Sequence, residues 1–393
     1  MISSRQFYIT IFIFSLCLKI QKLPALIAEN LGKDGYILIL FYTLIEVVGI
    51  SIAFLILKNE KKTSPEQRNL FFKGVSLAVS LGLMLLFIFQ GLLFYEAVQD
   101  LFEHILFDNL SWPIFSILFL IAIFFLSNRG VSAIGKNFEL YVFLIGVSFV
   151  ILIALGVSET DFTVVLPIET INFKNVANQF VKFNLWFGDF FLILFLGRRA
   201  EKIKFSKTIL SYVFSMVIVV GLYIIFFGIY KSESAIQSSL ISEISEQSML
   251  GADIGRIDWF LILFTQIGSI ICTGLCMCMA VNSFTNAFQK ANKNIVLLVI
   301  LIAVYFLDLY FLNDTHSKMM FFFNFGSQFA LITKLAILAL MTMFTFVGKS
   351  KQIKKMEAKW KNFLNVMLLF SYFCVWRFCF HLGFLVSPNL ICV

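Results

Sequence analysis

Histidine is scarce, with three in 393 residues (His104, His316 and His381), and the three stand far apart. Without a cluster of His beside acidic or thiol partners, hydrolase and metalloenzyme chemistry has no residues to work with. The chain is therefore not expected to be an enzyme, and no cofactor is expected. Charge is also scarce: 14% of residues are Asp, Glu, Lys or Arg, against about 25% in ordinary globular chains. Seven Cys lie on or beside apolar runs (Cys17, Cys272, Cys276, Cys278, Cys374, Cys379, Cys392) rather than paired in external loops, so no disulfide framework is implied. Cys272, Cys276 and Cys278 lack His or acidic neighbours and read as buried thiols rather than metal ligands. The net charge of +8 is not a nucleic-acid footprint, because the cations sit in short blocks between apolar runs instead of along one face.

What the chain has in excess is apolar bulk. Sixty per cent of residues are hydrophobic, 50 are Phe, and mean hydropathy is +0.92. A soluble chain could not bury that much apolar surface, so this is a polytopic integral membrane protein. A span needs about 20 apolar residues to cross roughly 30 Å of hydrocarbon. By that measure the spans fall near 7–28, 36–57, 74–95, 112–127, 138–157, 183–197, 207–230, 257–281, 295–313 and 320–347. After a basic linker, an eleventh apolar segment, 363–386, either crosses or lies flat. The runs are continuously apolar and lack the alternation of barrel strands, so the expected fold is all-α. Arg5 ahead of Phe7–Leu18 looks like the start of a signal peptide. However, Lys19, Gln21 and Lys22 interrupt that run and no small-residue cleavage site follows, so the segment reads as the first span.

Placing the N-terminus in the cytoplasm puts 21 of the 31 Lys and Arg on the inner side. They are Arg5, the five from Lys58 to Lys73, Arg129, Lys136, the five from Arg198 to Lys207, Lys290, Lys293, and the six from Lys349 to Lys361. This asymmetry is that of the positive-inside rule. The stretch 96–111, with Glu96, Asp100, Glu103 and Asp108 and no cation, reads as an outer loop. In the outer loop 231–256, Ile236, Leu240, Ile241 and Ile244 fit a short amphipathic surface helix.

Ten spans divide into five and five, and an odd number per half gives the halves opposite orientations. Such inverted repeats build a substrate site from discontinuous helices at matching positions, here spans one and six. Both are irregular. Span one contains Lys19-Ile20-Gln21-Lys22-Leu23-Pro24, and span six is short, with Asn184-Leu185-Trp186-Phe187-Gly188-Asp189 ahead of its apolar half. Non-helical backbone at membrane depth is tolerated only against protein or a wet cavity. A charge at a helix centre costs about 2.5–3.5 kcal/mol on insertion scales, so Lys19, Lys22, Glu46, Asp189, Asp308, Lys334 and Arg377 should each be paired or line a cavity. If helical, Lys19 and Lys22 share a face at i, i+3 and look toward the cavity of Asp189; alternatively Lys22 snorkels outward. Glu46 reads as a structural partner for Lys19, and Asp308 and Lys334 as structural charges.

The opening Ile2-Ser3-Ser4-Arg5-Gln6-Phe7 resembles the start of the spore-germination receptor B-subunit family (GerAB type), of the amino acid–polyamine–organocation transporter superfamily. In order along residues 1–350 follow Leu23-Pro24, Gly32-Lys33-Asp34-Gly35, Leu166-Pro167-Ile168, Phe187-Gly188-Asp189 and Ile257-Asp258-Trp259. The resemblance implies a five-plus-five inverted-repeat fold with a small-molecule site among spans one, three, six and eight, bordered by Lys19, Gln21, Lys22, Gly188 and Asp189, with Gln90 in span three. It further implies a place in the bacterial inner membrane, that of the spore, where germinants such as amino acids are sensed together with an A-type and a lipoprotein C-type subunit. The alternative within the same fold is a proton-coupled amino-acid permease, with Asp189 or Glu46 carrying the proton. The superfamily has small, Gly-rich sequence in the span-one break, where backbone N–H groups receive a carboxylate; here there are bulk and cations. Either Lys19 replaces those donors, or it fills the cavity by pairing with Asp189, which would leave a protein that signals without transporting.

Overall fold

The structure, a computed structural model, describes residues 2–60, 70–101, 112–165, 176–177, 179–235, 240, 244, 258–311, 318 and 321–347. Segment 363–386, the basic linker before it, Leu166-Pro167-Ile168, and Ile236 and Ile241 of the surface helix lie outside these residues. Among the described residues the regular secondary structure is helical, apart from one isolated β-bridge. The helices are α1 (Ser4–Ile20), α2 (Leu23–Leu31), α3 (Gly35–Glu60), α4 (Leu70–Leu101), α5 (Trp112–Asn128), α6 (Val131–Glu159), α7 (Asp189–Gly197), α8 (Phe205–Tyr230), α9 (Asp258–Ala287), α10 (Lys293–Phe311) and α11 (Ser327–Val347). Each of the ten apolar segments carries helix. Among the described residues six stretches are long and apolar enough to cross a membrane: Leu23–Lys58, Ser76–Gln99, Val131–Glu159, Phe205–Tyr230, Ile262–Ala287 and Phe321–Thr342.

The inside and outside of this bundle are both apolar. Leu44, Leu140, Phe143, Val150, Phe214 and Leu335 are large and exposed, as lipid-facing residues must be. At the centre, α9 packs along α4 and against α6, α5 and α1. In its most apolar window 78% of residues are buried, against 33–50% in the other five stretches. Gly91 permits the close α4–α9 approach: a Cβ there would stand 2.7 Å from Met277 and 3.2 Å from Cys276. Glu96 is not in a loop. Helix α4 continues to Leu101, and Glu96 is buried 3.0 Å from Lys318. Leu240 and Ile244, the described residues of the expected surface helix, are buried, and Ile244 packs beside Gly156 of α6.

Helix α1 starts with a capping box: the Gln6 N–H donates to Ser3 Oγ and the Ser3 N–H to Gln6 Oε1, each at 3.2 Å. The residues just before it are clasped to the segment after α7. The Ile2 N–H donates to the Arg199 carbonyl (3.0 Å) and the Glu201 N–H to the Ile2 carbonyl (3.1 Å), forming the isolated bridge. Ser4 Oγ donates to the Lys202 carbonyl, Tyr8 Oη accepts from the Lys204 N–H, and Arg5 and Gln6 both reach Glu139 of α6. The first motif of the chain thus has a physical account. Its residues start α1 and tie it to α6 and to the end of the other interrupted span.

Candidate functional site

Helix α1 ends at Ile20, two residues leave the helix, and α2 resumes at Leu23 with Pro24 in its first turn. Pro fits there because its missing N–H would be unbonded anyway. Span six is interrupted differently. A 3-10 turn, Asn184–Trp186, leads to Phe187 in extended conformation and Gly188 at φ 118°, and only then does α7 begin. That φ is left-handed and favours Gly. The nine residues of α7 rise about 14 Å, roughly half of the ~30 Å hydrocarbon core, so the interruption is intrinsic to the span.

The two interruptions meet through charge. Lys19 Nζ donates to Asp189 Oδ2 at 2.5 Å, and both side chains are wholly shielded from solvent. Lys19 also reaches the Ser15 carbonyl (3.4 Å) and sits 5.1 Å from the centre of the Phe187 ring. Phe187 stacks on Tyr42 of α3 at 3.9 Å, and Tyr42 stacks in turn on Phe180. Asp189 is the first residue of α7, where the helix dipole favours a negative charge.

Two further charges, from other helices, bond the backbone of the break. The Phe190 N–H donates to Glu46 Oε2 of α3 at 3.2 Å, which does for α7 what its side-chain-less Gly188 cap cannot. On the other polarity, Lys334 of α11 donates to the Asn184 carbonyl (2.5 Å) and to that of Phe187. Among the described residues the four charges balance: Lys19 and Lys334 against Asp189 and Glu46. The expected Lys19–Glu46 pairing is not made. Lys19 bonds Asp189 instead, and Glu46 serves the backbone.

Lys19 and Lys22 do not share a face, because the helix stops between them. Lys22 is half-buried at the start of α2, within electrostatic reach of Glu96. Gln21 is buried, and its Nε2 donates to Ser269 Oγ of α9 at 2.5 Å. Gln90 is buried on α4; among the described residues no hydrogen bond joins it to Lys19 or Asp189. Asp308 accepts from Tyr95 Oη at 2.9 Å. Around the pair, several buried polar atoms have no hydrogen-bond partner among the described residues: Asp189 Oδ1, Gln21 Oε1, Ser15 Oγ, Tyr212 Oη, and both amide ends of Gln266. Such atoms are few in native interiors; Asn184 Nδ2 at the span-six break is another, and Gln179 and Ser283 carry further ones. Among the described residues no group of three His, Cys, Asp or Glu is placed to hold a metal. The role of Lys334 was missed in the sequence; its only signal there was an intramembrane cation with no partner on its own helix.

An all-helical, multi-pass membrane protein with two interrupted helices joined at a buried ion pair has the architecture of a permease-like protein. A family model described as spore germination protein matches residues 1–317, and the chain belongs to that family. No curated protein matches the chain.

Proposed function

We propose that this protein is the membrane subunit of a spore germinant receptor that binds a small zwitterionic germinant, such as an amino acid, between the broken halves of spans one and six. The fold that goes with this reading has ten spans in a five-plus-five inverted repeat, the N-terminus in the cytoplasm, and A-type and lipoprotein C-type subunits as partners in the inner membrane of the spore. One observation carries it: a fully buried Lys19–Asp189 pair at the junction of two helix breaks, where Asp189 Oδ1, Ser15 Oγ and Gln21 Oε1 have no hydrogen-bond partner among the described residues. A ligand's carboxylate competes with Asp189 for Lys19, and its ammonium competes with Lys19 for Asp189. A zwitterion replaces one ion pair with two and leaves no buried charge alone. A lone anion or cation would strand one, at about 3–5 kcal/mol, so neutral overall charge is the selection rule. Separating Lys19 from Asp189 also separates α1 from α7, which supplies two states for partner subunits to read.

Asp189→Asn tests this. Asn still offers Lys19 an acceptor, so the protein should insert and accumulate, while the thermal shift caused by a panel of neutral amino acids should vanish. An unchanged shift removes Asp189 from the site. Reconstituted into proteoliposomes, the protein should not concentrate amino acids under a pH gradient. Robust accumulation would replace the sensing reading with that of a proton-coupled permease.

A further inference from the structure

The Lys19–Asp189 pair accounts for two of the four charges at the break, and the remaining cation has a different kind of partner. Lys334 is buried on α11, yet in the described structure its hydrogen bonds go to the break itself: the carbonyls of Asn184 and Phe187 and, at 3.4 Å, Asn184 Oδ1. The Phe187 carbonyl belongs to an extended residue and lacks the intrahelical donor a continuous span would give it, while the Asn184 carbonyl has only the tight-turn bond from the Phe187 N–H at 3.2 Å. Gly188 fits the arrangement from below: a Cβ on it would stand 2.6 Å from Lys334 Cε. The aromatic residues of the turn meet the same helix, since Trp186 lies 5.3 Å from Phe323, in the π-helical turn Phe321–Gly326 that leads into α11.

We propose that Lys334 is a positioning residue of the ligand site. Its ammonium holds the span-six break open through the Asn184 and Phe187 carbonyls, which aims Asp189 at Lys19 and couples α11 to whatever occupies the pair. The claim about binding rests on the ligand reading above; the claim about the break does not. When a zwitterion draws Lys19 away, Asp189 and Glu46 still face Lys334, so a change at the pair is felt on α11 without any contact between ligand and that helix.

The test uses the full-length chain in nanodiscs. Trp186 emission is isolated by subtracting the spectrum of the matching Trp186→Phe protein, and affinities for L-alanine and L-asparagine are measured alongside. Lys334→Met keeps the length of the side chain without a donor. It should shift Trp186 emission and weaken binding about tenfold or more, a change of about 1.4 kcal/mol. Lys334→Gln can still donate to both carbonyls and should recover most of both signals. If Lys334→Met fails to accumulate, Lys334→Met/Glu46→Gln removes the carboxylate left in excess and should show the same emission shift. Wild-type emission and affinity in either Met variant, or a lowered melting temperature with affinity intact, would overturn the proposal. If the wild type binds neither amino acid, the ligand reading fails with those probes, while the emission shift alone still decides whether Lys334 holds the break.

Discussion

In span one the chain leaves the helix for two residues and re-enters with its own Pro24; in span six it leaves for a longer stretch that other helices complete. The first break is handled locally: Pro24 needs no N–H partner, and Gln21 makes one side-chain bond to Ser269. The second draws an acid from α3 for the Phe190 N–H and a base from α11 for the Asn184 and Phe187 carbonyls. The difference teaches that an interruption whose backbone groups are satisfied from outside is also a junction, since whatever moves the break moves the helices that complete it. The span-one half is held at its break by the side chains of Asp189 and Ser269 and at its start by the Ile2–Ala200 clasp and Glu139.

The largest expected effect comes from the bond that joins the two breaks. Asp189→Leu leaves Lys19 charged and buried without its partner and should cost about 3–5 kcal/mol, read as a drop in the detergent unfolding midpoint. Lys19→Met/Asp189→Leu should regain most of that loss, and additive losses would show that the two residues act independently. Next comes the contrast between the breaks. Gly188→Ala forces a Cβ into a left-handed conformation and against Lys334, and should cost about 1–3 kcal/mol. Pro24→Ala should stay within about 1 kcal/mol. Equal costs would erase the distinction between a locally handled break and an externally completed one.

The smallest effect provides a baseline far from both. Asp161 is partly exposed; it accepts hydrogen bonds from Thr163 and lies 3.2 Å from Lys231, which together hold its carboxyl below the usual value. A lowered folded pKa means that its contribution is present above the unfolded value and lost as pH falls through the folded one. Asp161→Asn should therefore be slightly less stable than wild type near neutral pH, and the difference should vanish in acid once the pH has fallen through the lowered folded pKa. A difference that persists there would mean that the side chain acts through something other than its charge.

The helical segments were legible because each is a continuous apolar run. The breaks were legible because Lys19, Gln21 and Lys22, and Asn184 through Asp189, are too polar or too flexible to continue such runs. The match of Lys19 to Asp189 was open in the sequence as one of two alternatives. The roles of Glu46 and Lys334 were hidden for a physical reason: their partners are backbone atoms, and a backbone amide looks the same at every position. Glu96 misled for a related one. An acid at the end of an apolar run reads as solvent-facing until the tertiary structure brings Lys318 beside it.

The buried pair has one more consequence, in time rather than space. Lys19 and Asp189 are separated by 170 positions. At a synthesis rate of about 5–20 residues per second, Lys19 emerges roughly ten to thirty seconds before its partner exists. During that interval the first span is a poor candidate to settle alone in lipid. Until span six arrives Lys19 lacks its carboxylate, at a cost of about 2.5–3.5 kcal/mol on insertion scales. The ion pair can form only once both breaks have been made, so the Lys19–Asp189 contact is a late step of assembly.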